Sequence, residues 1–180
     1  MYFAGSGGSG IVVARLPNGT WSPPSAFSVR SGAIGLVGGV DVYECVCVLN
    51  TQDAVDAYSN PEVHLGVGAA LAAGPVGGNT TMNEAKPVWT YTKSKGLYGG
   101  VTVDETVIKE NSEANANFYG SKRTTAQILK GEVEPQEGSK MWPVGAQQLT
   151  EVLKMAEGRS ADAKILEEVS MDQTPGDMTS

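Results

Sequence analysis

The sequence predicts an α+β fold: a strongly bent, glycine-rich, mainly antiparallel β-sheet or partial barrel followed by C-terminal helices. Three observations predict it. Of the 23 glycines, 17 fall in the first 100 residues, where they punctuate short β-branched runs and form neither a linker nor a triplet repeat. Alternating runs occur over 40–49 and 97–108, and beyond 110 the pattern changes to helix, clearest over 143–157, where apolar residues recur at spacings of three and four. Strands first and helices last is the order of an α+β domain.

Taken in order, residues 11–16 read as a strand, and Asn18 and Gly19 supply a hairpin turn because both tolerate positive φ. Thr20 and Trp21 start a return strand that Pro23 and Pro24 interrupt. Residues 25–39 predict a strand with bulges or close backbone approach, and 40–49 a central buried strand. Asn50 or Thr51 caps a helix over 52–58, which Asn60 and Pro61 end. Residues 63–73 form a further strand, closed by a Gly74-Pro75 turn, and 88–93 and 97–108 read as two more. Helices follow over 112–118, 121–130 and 143–157, the last with Ala146, Leu149, Val152, Leu153 and Ala156 on one face and Gly158 as its C-cap. Residues 161–169 add a turn or two, and 172–180 read as disordered. The expected organisation is one domain over 1–157 and a tail over 158–180, partly helical and then disordered.

Composition removes several function classes. The formal net charge of −7 argues against nucleic-acid binding. Most of that charge lies beyond residue 100, which leaves the first hundred residues near neutral and able to hold a small basic patch. No run approaches 18 apolar residues and the N-terminus lacks the regions of a signal peptide, so no transmembrane segment and a cytoplasmic location are expected. One histidine and two cysteines exclude sites that need two histidines or four cysteines.

The remaining motifs are weak. The run from Gly5 to Gly10 matches G-x-G-x-x-G, but a dinucleotide site needs a strand before it and a helix after it. Here a β-rich run follows, so the segment reads as a flexible or bulged entry to the first strand. His64 stands alone and reads as structural or surface. Cys45 and Cys47 share a strand face and read as buried, inert thiols; a metal site would require His64 and a carboxylate to complete it. Asp104 and Glu105 point to opposite faces of a strand, and Glu167 and Glu168 lie in a solvated helix, so neither pair supports acid–base catalysis. No catalytic residue, cofactor or metal is therefore expected. Among Arg15, Arg30, Lys86, Lys93 and Lys95, the pair Lys93 and Lys95 shares a face if the strand continues through Ser94. Such a pair either grips an anionic lipid headgroup, at about 1 kcal/mol for each charge, or guards a strand edge against aggregation.

Several blocks taken together resemble a known family. Gly8-Ser9-Gly10-Ile11-Val12-Val13-Ala14-Arg15, then Gly19-Thr20-Trp21-Ser22-Pro23-Pro24-Ser25-Ala26, are similar to the signature of the SYLF domain, also called the yeast-type actin-binding or Las17-binding actin regulator domain. Val46-Cys47-Val48-Leu49-Asn50-Thr51, Ala72-Ala73-Gly74-Pro75-Val76-Gly77, and Tyr91-Thr92-Lys93-Ser94-Lys95-Gly96-Leu97-Tyr98-Gly99-Gly100-Val101 continue it. Phe118-Tyr119-Gly120 and Ile128-Leu129-Lys130-Gly131 complete the order, covering about residues 2–155 in the manner of the fungal branch. The resemblance implies a non-enzymatic module that binds phosphoinositide membranes and actin filaments at cortical, endocytic sites, peripheral to the membrane. Relative to the family, the chain is expected to lack the usual N-terminal segment and the C-terminal Src-homology-3 domain. On this reading Lys93 and Lys95 are the first candidates for lipid or actin contact and Arg15 the next. Expected partners are anionic phospholipid membranes, actin filaments and, as a homo-oligomer, further copies of the chain. The competing readings are a small-ligand or metal-binding protein using its glycine-rich loops, and a truncated structural or interaction paralogue.

Overall fold

The computed structural model describes residues 2–73, 88–135 and 142–169. Four strands, β1 (Tyr2–Val12), β2 (Ser25–Leu49), β3 (Glu62–Ala73) and β4 (Val88–Glu110), form one sheet in the order β1-β2-β4-β3. The helices are α1 (Gln52–Tyr58), α2 (Ser112–Tyr119), α3 (Thr125–Leu129), α4 (Val144–Ala156) and α5 (Ala163–Glu167). This is the α+β architecture the sequence predicts, with an open sheet among the described residues. β3 and β4 are antiparallel, from Glu62 opposite Lys109 to Ala73 opposite Gly99, with a register shift between Leu65 and Gly68. β1 and β2 also run antiparallel, since Gly5 lies against the Ser31 carbonyl and Gly7 against that of Val29. The described residues divide into two compact units, one holding 2–9, 28–73 and 88–109 and the other 10–27, 110–135 and 142–169.

The strands are longer than the sequence reading gave them. Gly5 to Gly10 is neither a flexible entry nor a nucleotide loop but part of β1 itself. At Gly10 the glycine serves space: a Cβ there would meet Phe27 Cζ at 2.5 Å. The two runs expected over 25–39 and 40–49 are one 25-residue strand, and those over 88–93 and 97–108 are one of 23. β2 and β4 each have a neighbour on both sides. Ladder bonds there override the weak β propensity of Ser94, Lys95 and Gly96. A second correction concerns the end of β2. Val46 and Val48 are 65% and 44% exposed, and Cys47 is exposed as well, so this end is not the buried strand expected. An apolar pattern on both faces fixes the strand but not what covers it. The Gly74-Pro75 turn, the 172–180 tail and the side chains of Cys45 and His64 lie outside the described residues.

The helices follow local chemistry. Thr51 caps α1 by accepting from Ala54 N at 3.2 Å. Asn111 caps α2, accepting from Ala114 N at 3.0 Å, and Gly120 ends it. α3 begins four residues later than expected, because Thr124 and Gln127 form a reciprocal capping box, with bonds of 3.2 and 3.1 Å. α4 ends at Glu157 and Gly158 as its pattern requires. In the second unit Tyr119, Ile128 and Val133 are buried together, with Phe118 and Trp142 packed against them. Both flanking rings meet Tyr119 edge to face, at centroid distances of 4.9 and 5.9 Å. Gly131 takes φ +71°, and a Cβ there would meet Leu16 Cδ1 at 2.8 Å. This glycine therefore answers both a conformation and a close approach.

Candidate anion-contact residues

Lys93 and Lys95 stand two positions apart in an unbroken strand, which is the register a shared face requires. Their side chains lie outside the described residues.

Arg15 is set beside the Leu16–Thr20 turn, in which Gly19 N donates to Leu16 O and Leu16 N to Thr20 O, at 2.9 and 2.8 Å. Asn18 Oδ1 tightens the turn by accepting from Thr20 N at 3.0 Å and Thr20 Oγ1 at 2.6 Å. Arg15 and Trp21 form a single antiparallel bridge across it, a much shorter hairpin than the sequence suggested. The Arg15 guanidinium lies 4.4 Å above the centre of the Trp21 ring. Its Nη1 donates to Gly19 O at 3.0 Å and to Glu157 Oε2 at 3.2 Å, while Nη2 pairs with Glu157 Oε1. The same two acceptors serve a second arginine. Arg159 Nη1 donates to Gly19 O at 2.8 Å and to Glu157 Oε2 at 3.5 Å. Glu157 and Arg159 reach the turn because α4 stops here: Gly158, at φ +70°, lets Arg159 N donate back to Lys154 O at 2.9 Å. Sequence reasoning singled out Arg15 but neither Glu157, 142 residues away, nor Arg159, and no motif connects them.

Two buried polar groups near these elements were also missed. Glu151 of α4 accepts from Lys154 Nζ at 2.6 Å and from Asp162 N at 2.7 Å. The Lys154 hydrogen bond, then the Asp162 amide, hold its carboxyl below the usual carboxylate range. Asn115 of α2 binds Ala26 N at 2.8 Å through Oδ1 and Ser25 Oγ at 3.2 Å through Nδ2. Ser25 Oγ also shares a 3.0 Å hydrogen bond with Thr125 Oγ1. Tyr119 donates its hydroxyl to Pro24 O, and burial raises its pKa. These groups knit backbone to helix.

Asp104 and Glu105 lie in β4, and Glu167 and Glu168 at the end of α5. Among the described residues, no group of three or more His, Cys, Asp or Glu side chains could hold a metal. No described helix is long and apolar enough to cross a membrane.

Comparison with known proteins gives a consistent picture. Residues 30–156 match the family model Ysc84, described as Las17-binding protein actin regulator. The chain is 40% identical over 140 residues to LAS seventeen-binding protein 3 of Saccharomyces cerevisiae, covering 74% of this chain and 30% of that protein. Over 139 residues it is 39% identical to Protein YSC84 of the same yeast, covering 73% and 30%. With SH3 domain-containing YSC84-like protein 1 of Mus musculus the identity is 38% over 152 residues, covering 82% and 43%. The chain thus spans less than half the length of each of these relatives. No solved structure matches it significantly.

Proposed function

The chain belongs to the Ysc84 family of Las17-binding protein actin regulators, and we propose that it is a non-enzymatic module of actin regulation that binds anionic, phosphoinositide-containing membranes and actin filaments. The single observation that carries the actin part is the family match over residues 30–156. The membrane part rests on Lys93 and Lys95 in one uninterrupted strand, with Arg15 as a further contact. Two cations at strand spacing meet adjacent phosphates while the strand backbone keeps them in register, and each adds about 1 kcal/mol near an anionic surface. Such a module sits peripherally at the cell cortex and places its actin-binding surface beside the membrane.

Paired co-sedimentation tests this reading. The full chain is spun with phosphatidylcholine vesicles containing or lacking a phosphoinositide, and separately with actin filaments. Pelleting with the phosphoinositide vesicles and with filaments at low salt is expected. Absence of both refutes the function.

A further inference from the structure

We propose that Arg15 and Arg159 form a binding site for a phosphate monoester, with Glu157 as its built-in competitor. Both arginines lie outside the residues matched by the family model. Three observations lead to this assignment.

The first is convergence. Two guanidinium groups donate through Nη1 to one carbonyl oxygen, at 3.0 and 2.8 Å, so the two Nη1 atoms lie within two hydrogen-bond lengths of each other. Like charges are brought this close only where something compensates them, and here Glu157 does so for one charge of the two. The cluster keeps a residual positive charge in a chain whose formal net charge is −7.

The second is spare donor capacity. A guanidinium carries five N–H donors. The contacts of Arg159 among the described residues all use Nη1, which leaves Nε and Nη2, and its side chain is 45% exposed. Arg15 keeps its Nε–H and is 44% exposed. Planar forks of this kind suit bidentate binding of phosphate oxygens.

The third is preorganisation. Arg15 is stacked on Trp21, and both guanidinium groups are anchored on the Gly19 carbonyl of a hydrogen-bonded turn. Little side-chain freedom remains to be lost on binding. Near neutral pH a phosphate monoester approaches two negative charges and offers three oxygens. It outcompetes a single carboxylate for the two cations. Glu157 therefore fills the site when no ligand is present and raises the anion concentration needed to occupy it.

The test uses the full chain and two probes, at low salt. Glycerol 3-phosphate, titrated by calorimetry, is the soluble arm. Phosphatidylcholine vesicles with and without phosphatidylinositol 4-phosphate are the membrane arm, which alone rests on the lipid reading above. Saturable binding of glycerol 3-phosphate is expected, weakened about tenfold or more by Arg159→Gln, tightened several-fold by Glu157→Gln, and unchanged by Lys130→Gln. Because Arg159→Gln also removes a bond to the turn, Glu157→Gln decides the case: a gain in affinity cannot arise from unfolding. No saturable binding of glycerol 3-phosphate, or no gain with Glu157→Gln, overturns the proposal. Vesicle binding lost in Arg159→Gln assigns the site to a lipid headgroup; vesicle binding kept in that variant, with soluble binding lost, assigns it to a free phosphate monoester. Vesicle binding without soluble binding overturns this site and leaves the lipid reading intact.

Discussion

Replacing Asn115 by alanine should cost far more than a change of this size ordinarily does, and the structure supplies the magnitude. Asn115 is 1% exposed, and its amide is the partner of both Ala26 N and Ser25 Oγ. Alanine leaves the Ala26 N–H without its acceptor in a partly buried position, at about 1–3 kcal/mol. Loss of the second hydrogen bond adds about 1 kcal/mol, a partial loss because Ser25 keeps Thr125. The sum is about 2–4 kcal/mol. At about 2–4 °C for each kcal/mol in a chain of this size, the midpoint falls by about 5–15 °C. Thermal and urea unfolding followed by tryptophan fluorescence provides the measurement, since Trp142 packs on Tyr119 in the same unit. Asn115→Asp sharpens it. That change keeps an acceptor for Ala26 N but loses the donor to Ser25 and buries a carboxylate, so its deficit should shrink in acid, where a protonated carboxyl donates again. A loss below about 0.5 kcal/mol for Asn115→Ala, within the range of an ordinary surface change, would refute the reasoning.

Three further predictions concern other sites. Gly131→Ala places a Cβ at a φ of +71° and against Leu16, and should lower stability by about 1–3 kcal/mol in thermal denaturation, whereas Gly8→Ala, with open space around it, should change little. The carboxyl of Glu151 is depressed in the folded state, so its contribution is complete above the unfolded value of 4.5 and is lost as pH falls through the lower folded value. Glu151→Gln should therefore be less stable than the wild type at pH 7, and urea midpoints should converge as the pH falls through the folded value; a gap that stays constant contradicts the assignment. Charge reversal at both Lys93 and Lys95 should reduce phosphoinositide-vesicle binding by about thirtyfold or more on removal of two contacts of about 1 kcal/mol each. The remaining binding should lose most of its salt sensitivity in co-sedimentation across a salt series.

Local chemistry was legible in the sequence and long-range placement was not. Thr51 and Gly120 announce the start of α1 and the end of α2 because caps act within four residues. The same grammar misplaced the start of α3 only because the Thr124–Gln127 capping box outweighs the helix-compatible residues before it. The strands failed differently. Their glycines read locally as breaks, yet β2 and β4 run through such positions because their neighbours on both sides fix the backbone. The exposed ends at Val46 and Val48 show the same limit, since burial depends on what lies over a face. In the candidate site, Arg15 was visible through a motif, but Glu157 and Arg159 were not, because a helix far along the chain delivers them to the turn.

That delivery has a consequence for synthesis on the ribosome. The second unit joins residues 10–27 to described residues from 110 onward, so the first piece leaves the ribosome long before its complement exists. Roughly eighty residues intervene, which at 5–20 residues per second is about 4–16 seconds of waiting. During that interval the turn at Asn18 and Gly19 can close on its own hydrogen bonds, but Ser25 lacks Asn115 and Thr125, and Arg15 lacks Glu157. The nascent segment thus carries an arginine without its carboxylate until Glu157 emerges, while Ser25 and Ala26 stay hydrogen-bonded to water until α2 and α3 supply their partners. A chain halted before Glu157 leaves Arg15 without that carboxylate, and completing the end of α4 brings both the counter-charge and the second arginine to the turn.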